Sequence, residues 1–195
     1  MQTINEPTTT RSVVVFDAAV AGTAMLVQGL EPGVVPLFLM PSDGLGGLAR
    51  LLLPYVGLDA LFIVAPGGPG ALDVGGVRLN TARLMRADAA MLRAIGNSLV
   101  RGGTLHLVTE CVAAGPAGRL FLQAMANAVG VTVAGSTRAM TGTAWVGDSW
   151  ACPGARAGVH APIPVPVPVM AAVTRAGRPG LRSVEHDITR ERHLA

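Results

Sequence analysis

A cysteine at the end of an apolar run is the residue of this chain best placed by its surroundings for covalent chemistry. Cys111 follows TLHLVTE at 104–110 and precedes the Ala-rich stretch CVAAG. A buried strand would there present a thiol ahead of a helix, whose N-terminus favours the thiolate form. Acyl transfer by a thiolate also needs a base within reach. His106 stands five residues earlier on the same expected strand, and alternation of side chains sends the two to opposite faces, so that His106 shares its face with Glu110. His160, His186 and His193 all lie in the C-terminal stretch. Read from the residues alone, Cys111 is a small buried hydrophobe and His106 a strand histidine with a local hydrogen bond, rather than a nucleophile and its base.

Other candidates follow from where an open α/β sheet gathers its ligands, at the carboxyl ends of the strands. Those ends hold Asp17, the run Met40 to Asp43, the loop PGGPG at 66–70, Glu110 to Gly115, and Ser136 with Thr137. The glycine-rich loop has neither the GxGxxG order nor a GK[ST] ending, and its two prolines remove backbone donors that a phosphate would need. Close backbone packing explains it better. The groove candidates are therefore Asp17, Asp43, Gly67, Glu110 and Cys111, with no cofactor-binding residues and no metal ligands expected. Two cysteines, Cys111 and Cys152, are too few for a structural zinc site or a disulfide framework, though they could form one bridge.

The elements that must position these residues read as alternating strands and helices. Val13 to Phe16 is an unbroken apolar run, suited to a strand buried on both faces. A short helix is predicted within Asp17 to Leu30, then a strand at 34–40 whose Pro36 favours an edge. A helix capped by Ser42 or Asp43 repeats Leu45, Leu48, Leu52 and Tyr55 on one face, and a strand follows at 60–65. Gly75-Gly76 between ALDV and VRLN signals a hairpin. The longest predicted helix runs from about Thr81 to Val100, with Leu84, Met91, Leu92, Ile95 and Leu99 inward, Arg83, Arg86, Asp88 and Arg93 outward, and Gly102-Gly103 ending it. A strand at 104–110, a helix at about 117–129 and a strand at 131–136 complete the series. Right-handed crossovers turn this order into an α/β three-layer sandwich with a mostly parallel sheet.

Composition bounds the partners. Half of the 195 residues are apolar and 14% are charged, which excludes a disordered polymer. The net charge of +3 is unevenly placed: residues 1–152 carry nine Arg against nine acids, residues 153–195 six Arg against three, and there is no Lys. Without clustered basic residues or aromatic platforms, no nucleic-acid partner is expected. No apolar run reaches the length of a membrane span, and the polar leader at 1–11 has no apolar core of a secretory signal. The chain is expected to be cytoplasmic, or exported by a route that needs no signal peptide. Three parts are expected: the leader at 1–11, an α/β domain at 12–152, and a tail at 153–195 whose APIPVPVPV favours an extended arm.

Four blocks, SVVVFDAAV, LDALFIVAPGGPGALDVGGVRLN, GGTLHLVTECVAAGPAGRLFLQAMANAVGVTVAGST and TGTAWVGDSW, resemble in order and spacing the bacterial domain-of-unknown-function family 4347, over about residues 12 to 150. That family is typical of the N-terminal ends of very large surface or secreted proteins with calcium-binding repeats. Its layout is similar to that of caspase-like cysteine peptidases, with a His-Gly after the third strand and a Gly-Cys-Asp after the fourth. The resemblance implies a caspase-like sheet and puts Pro66 at the histidine position, Glu110 at the cysteine position and Cys111 at the aspartate position. Proline cannot accept a proton, so both members of the dyad are missing. The implied function is a non-catalytic, pseudo-peptidase module in binding or assembly. Its partner would be protein, itself or another, held through the Pro-Val arm or the strand-end groove. Two alternatives stand beside it: a cysteine hydrolase or self-processing peptidase using Cys111, and a flavodoxin-like or amidotransferase-like enzyme suggested by the strand-Glu-Cys-helix order.

Overall fold

Unbroken apolar strands need cover on both sides, and the computed structural model of the chain supplies it. Residues 11–86, 88–137 and 150–151 are described; the Pro-Val arm and the rest of the expected tail lie outside them. Strands β1 (Ser12–Asp17), β2 (Val34–Leu39), β3 (Leu58–Val64), β7 (Leu99–Val108) and β8 (Thr132–Ser136) form a parallel sheet in the order β2-β1-β3-β7-β8, and β9 (Trp150–Ala151) adds antiparallel to β8. The chain runs outward from β1 to β2 and then back across to β3. This reversal puts the topological switch point between β1 and β3. Pro36, which has no N–H to give, sits in the edge strand β2, as its chemistry requires.

Alternate residues serve two cores. Val13, Val15, Leu61, Ile63, Leu105 and Leu107 face the larger one with α2 (Gly44–Leu52), α4 (Ala89–Gly96) and α5 (Gly115–Val129). Val14, Phe16, Phe62, Val64 and Val108 face the smaller one, where Leu26 of α1 (Thr23–Gln28) packs. The result is an α/β three-layer sandwich. Fully burying each such side chain contributes about 1.5–3 kcal/mol, which is why four consecutive residues, Val13 to Phe16, can all be shut off from solvent.

A second, small sheet joins β4 (Gly67–Gly68), β5 (Ala71–Val74) and β6 (Val77–Asn80). The expected hairpin turn is Gly75-Gly76, both with positive φ, at 57° and 78°, the turn type whose twist suits a two-residue hairpin. Leu72, Val74 and Leu79 bury their side chains in the larger core.

The long helix expected from Thr81 to Val100 is corrected. It is two short helices, α3 (Thr81–Leu84) and α4, followed at once by the start of β7. Asp88 takes φ 67° and its carboxylate binds Arg83 Nε at 2.9 Å, which interrupts the helical path. Ser98 Oγ donates to the Ile95 carbonyl at 2.7 Å as α4 ends, and Leu99, assigned inward on a helix, is a strand residue opposite Leu58. Gly102-Gly103 therefore ends no helix; it lies inside β7, at a bulge where pairing jumps from Leu58↔Leu99 to Ala60↔Thr104. Asp43 occupies the N-cap position of α2 but makes no side-chain cap, because its carboxylate turns back to accept from Met40 N–H at 2.9 Å.

Candidate functional site

The carboxyl ends of the parallel strands carry two groups of residues. The first surrounds the switch point. Asp17 ends β1 at 3% exposure, and both carboxylate oxygens accept backbone N–H groups, from Ala19 at 2.8 Å and from Gly75 at 2.6 Å. Gly75 returns its carbonyl to Gly44 N–H, the first residue of α2, at 3.1 Å. A side chain on Gly76 would overlap the Pro41 carbonyl oxygen. The tip of the β5-β6 hairpin is thereby seated on the ends of β1 and α2 and uses the hydrogen-bonding groups that a ligand would need there. Lifting it would expose Leu72, Val74 and Leu79, at a cost on the order of 5 kcal/mol or more, comparable to the net stability of a whole domain. It is a fixed plug rather than a lid.

The second group lies at the ends of β3 and β7. Pro66 follows β3 and accepts Asp73 N–H at 2.8 Å through its carbonyl. Gly67 is held so closely that a side chain there would come to 2.7 Å from the Ala71 carbonyl oxygen and 2.8 Å from Thr109 Oγ1. The glycine-rich loop is thus close-packed backbone, as its prolines suggest. Gly70 N–H reaches the Val112 carbonyl at 3.0 Å and Ala113 N–H the Ser136 carbonyl at 2.8 Å, binding the loop after β7 to the glycine-rich loop and to the end of β8.

Glu110 and Cys111 stand side by side in the turn between β7 and α5, each partly exposed. Cys111 has φ 48°, unusual for a non-glycine residue, and its carbonyl accepts Ala114 N–H at 2.8 Å. Partial burial pushes the thiol's pKa up, and the neighbouring Glu110 carboxylate pushes it further in the same direction. The expectation that the following helix would favour a thiolate is therefore reversed. Helix α5 begins only at Gly115, while an acid is adjacent in sequence.

His106 is the one histidine among the described residues. It is buried within β7 and stacks on Phe62, ring centroids 4.6 Å apart at 12°. Loss of water lowers its pKa from 6.5 to about 4, so it is neutral over the ordinary range. Its alternation does not carry through to Glu110, since β7 ends at Val108 and Glu110 belongs to the turn. The strand ends thus link Asp17 through Gly75 to Gly44, the residue after Asp43, and bring Gly67 close to Thr109, next to Glu110 and Cys111. Among the described residues no group of His, Cys, Asp and Glu could hold a metal ion, and no helix is long and apolar enough to cross a membrane. The seat of the hairpin on Asp17 was not anticipated from sequence. Its signal was present in Gly75-Gly76 and in a lone acid ending a buried strand, but the 58-residue separation hid the pairing.

With this geometry in view, comparison with known proteins adds a family. The sequence matches the family described as Domain of unknown function (DUF4347) over residues 13–174. No curated protein matches the chain. Among solved structures, one described as "Crystal structure of a small-chain dehydrogenase" is similar at 13% identity and a TM-score of 0.31, covering 61% of this chain and 71% of that one. A superposition that loose carries no argument.

Proposed function

We propose that this chain, which belongs to the DUF4347 family, is a non-catalytic module of caspase-like layout that works in binding or assembly. The observation that carries the reading is the turn after β7, where Glu110 takes the place that the resemblance gives the nucleophile and the adjacent Cys111 thiol, partly buried beside that carboxylate, has its pKa pushed up. Two further observations support it. Pro66, which stands where such a layout would place its histidine, offers only a carbonyl, and that carbonyl is occupied by Asp73 N–H. The crevice at the switch point is filled by the chain's own hairpin, through Asp17 and Gly75. Binding would then use surfaces rather than an acyl-transfer centre, with protein as partner.

One observation favours a second reading, a cysteine hydrolase. Cys111 has a positive φ on a tight turn between a parallel strand and a helix, the backbone shape in which hydrolases of other folds expose a nucleophile. Labelling with a thiol-reactive peptidyl probe near neutral pH separates the two. The binding module leaves Cys111 unlabelled while a general alkylating agent reaches it slowly. Stoichiometric labelling of Cys111 that Glu110→Gln leaves unchanged would overturn the proposal in favour of the hydrolase.

A further inference from the structure

The two faces of the sheet are covered unequally. One carries α2, α4 and α5, while on the other α1 is the only helix among the described residues. That second face holds a continuous row across all five parallel strands, because Pro36, Val14, Phe62, His106 and Ala134 stand opposite one another in register. Helix α1 joins β1 to β2, at one end of the row. At the other end His106 is 5% exposed and Ala134 2%, and Ala134 belongs to neither of the two apolar cores. An alanine on a bare sheet face is open to water, so a further layer shields β7 and β8. The face is also rich in rings. Phe16 stacks on Phe38 and Phe62 on His106, which puts three of the chain's four phenylalanines there.

We infer that the chain's own Pro-Val run at 161–169 is that layer, docked on the Phe62, His106 and Ala134 end of the sheet face. Three observations select it. The family match does not stop with the sheet: it runs to residue 174, past Ala151 and through the whole run, so the run belongs with the sheet. Strand β9 pairs antiparallel to β8 with Ala151 opposite Gly135, which points the chain back along β8 towards Ala134. The third observation is chemical. An extended segment lying flat on a sheet face has no ladder to join, and each N–H that it buries unpaired costs free energy. Four of the nine residues of APIPVPVPV are proline, which has no N–H, and the other five are apolar. Proline-rich extended segments are also the kind that docks on aromatic-lined grooves. Nine such residues at about 3.1 Å each reach roughly 28 Å, against roughly 19 Å for five strands about 4.8 Å apart, so the run is long enough to cover the row. The inference is independent of whether Cys111 is inert, and it withdraws the run from the surfaces offered to a partner.

Nuclear Overhauser contacts in the isotope-labelled full chain test it. Contacts are expected from the rings of Phe62 and His106 and the methyl group of Ala134 to the prolines and valines of 161–169. A mixture of labelled and unlabelled chains should show them within one molecule. V165S/V167S should loosen the cover, so that water reaches the face, the His106 imidazole titrates well above the parent's value of about 4, and backbone exchange at His106 and Ala134 quickens about tenfold or more. L181S/V184S, beyond the family match, should change neither. The inference is overturned if the rings contact residues 138–149 in place of the run, if the contacts arise only between molecules, so that a second copy is the cover, or if no contact to 161–169 is found. It is equally overturned if V165S/V167S leaves both the titration and the exchange as they are in the parent.

Discussion

Replacing His106 with leucine should remove a specific part of the acid sensitivity of this protein. Burial beside Phe62 lowers the imidazole pKa from 6.5 to about 4. In the unfolded chain the same group titrates near its ordinary value. Between those two pH values the unfolded state binds a proton that the folded state refuses, so stability falls as pH falls from about 6.5 towards 4. A gap of that size, at 1.36 kcal/mol per pH unit, amounts to on the order of 3 kcal/mol lost across the window. His106→Leu cannot take up the proton and keeps an apolar group in the cavity. Urea unfolding at a series of pH values from 7.5 down to 4 measures the difference between parent and variant. That difference should move in favour of the variant by on the order of 3 kcal/mol as pH falls. Two stability curves that stay parallel throughout would refute the claim that the imidazole is held neutral by burial.

Two glycines of similar sequence setting should respond oppositely to a single methyl group. Gly76→Ala places a Cβ onto the Pro41 carbonyl at φ 78° and should cost at least about 2 kcal/mol in urea unfolding, whereas Gly68→Ala meets nothing within 4 Å and should stay within about 0.5 kcal/mol. Asp17→Asn leaves one of the two N–H groups without a carboxylate oxygen, so stability should fall by about 1–3 kcal/mol and hydrogen exchange should quicken at Gly75. Equal exchange at Gly75 in parent and variant would rule out the seat described for the hairpin.

The order of strands and helices was legible because the strands are apolar on both faces and the turns are marked by glycine. Val13 to Phe16 and Leu61 to Val64 are buried throughout, and the Gly75-Gly76 hairpin formed where the spacing put it. What escaped were features decided by single local conformations. A positive φ at Asp88 broke one expected helix in two, and Leu99, apolar in either setting, passed from a helix face to a strand. The candidate site was legible as a place and not as a chemistry. Position marked Cys111 as the best-placed thiol, and the residues read it as a small buried hydrophobe rather than a nucleophile; it is instead partly exposed, with its pKa pushed up by partial burial and by the adjacent carboxylate. The use of Asp17 as the seat of a hairpin depends on a contact that no local pattern encodes.

The rate of Cys111 alkylation as a function of pH, followed by peptide mapping so that Cys152 is counted separately, bears most directly on the claim that the strand ends hold no activated nucleophile. A rate that rises only above the ordinary thiol range, and shifts to lower pH in Glu110→Gln, is the result expected of a thiol that burial and a neighbouring acid keep protonated. A rate already at its plateau near neutral pH would contradict it.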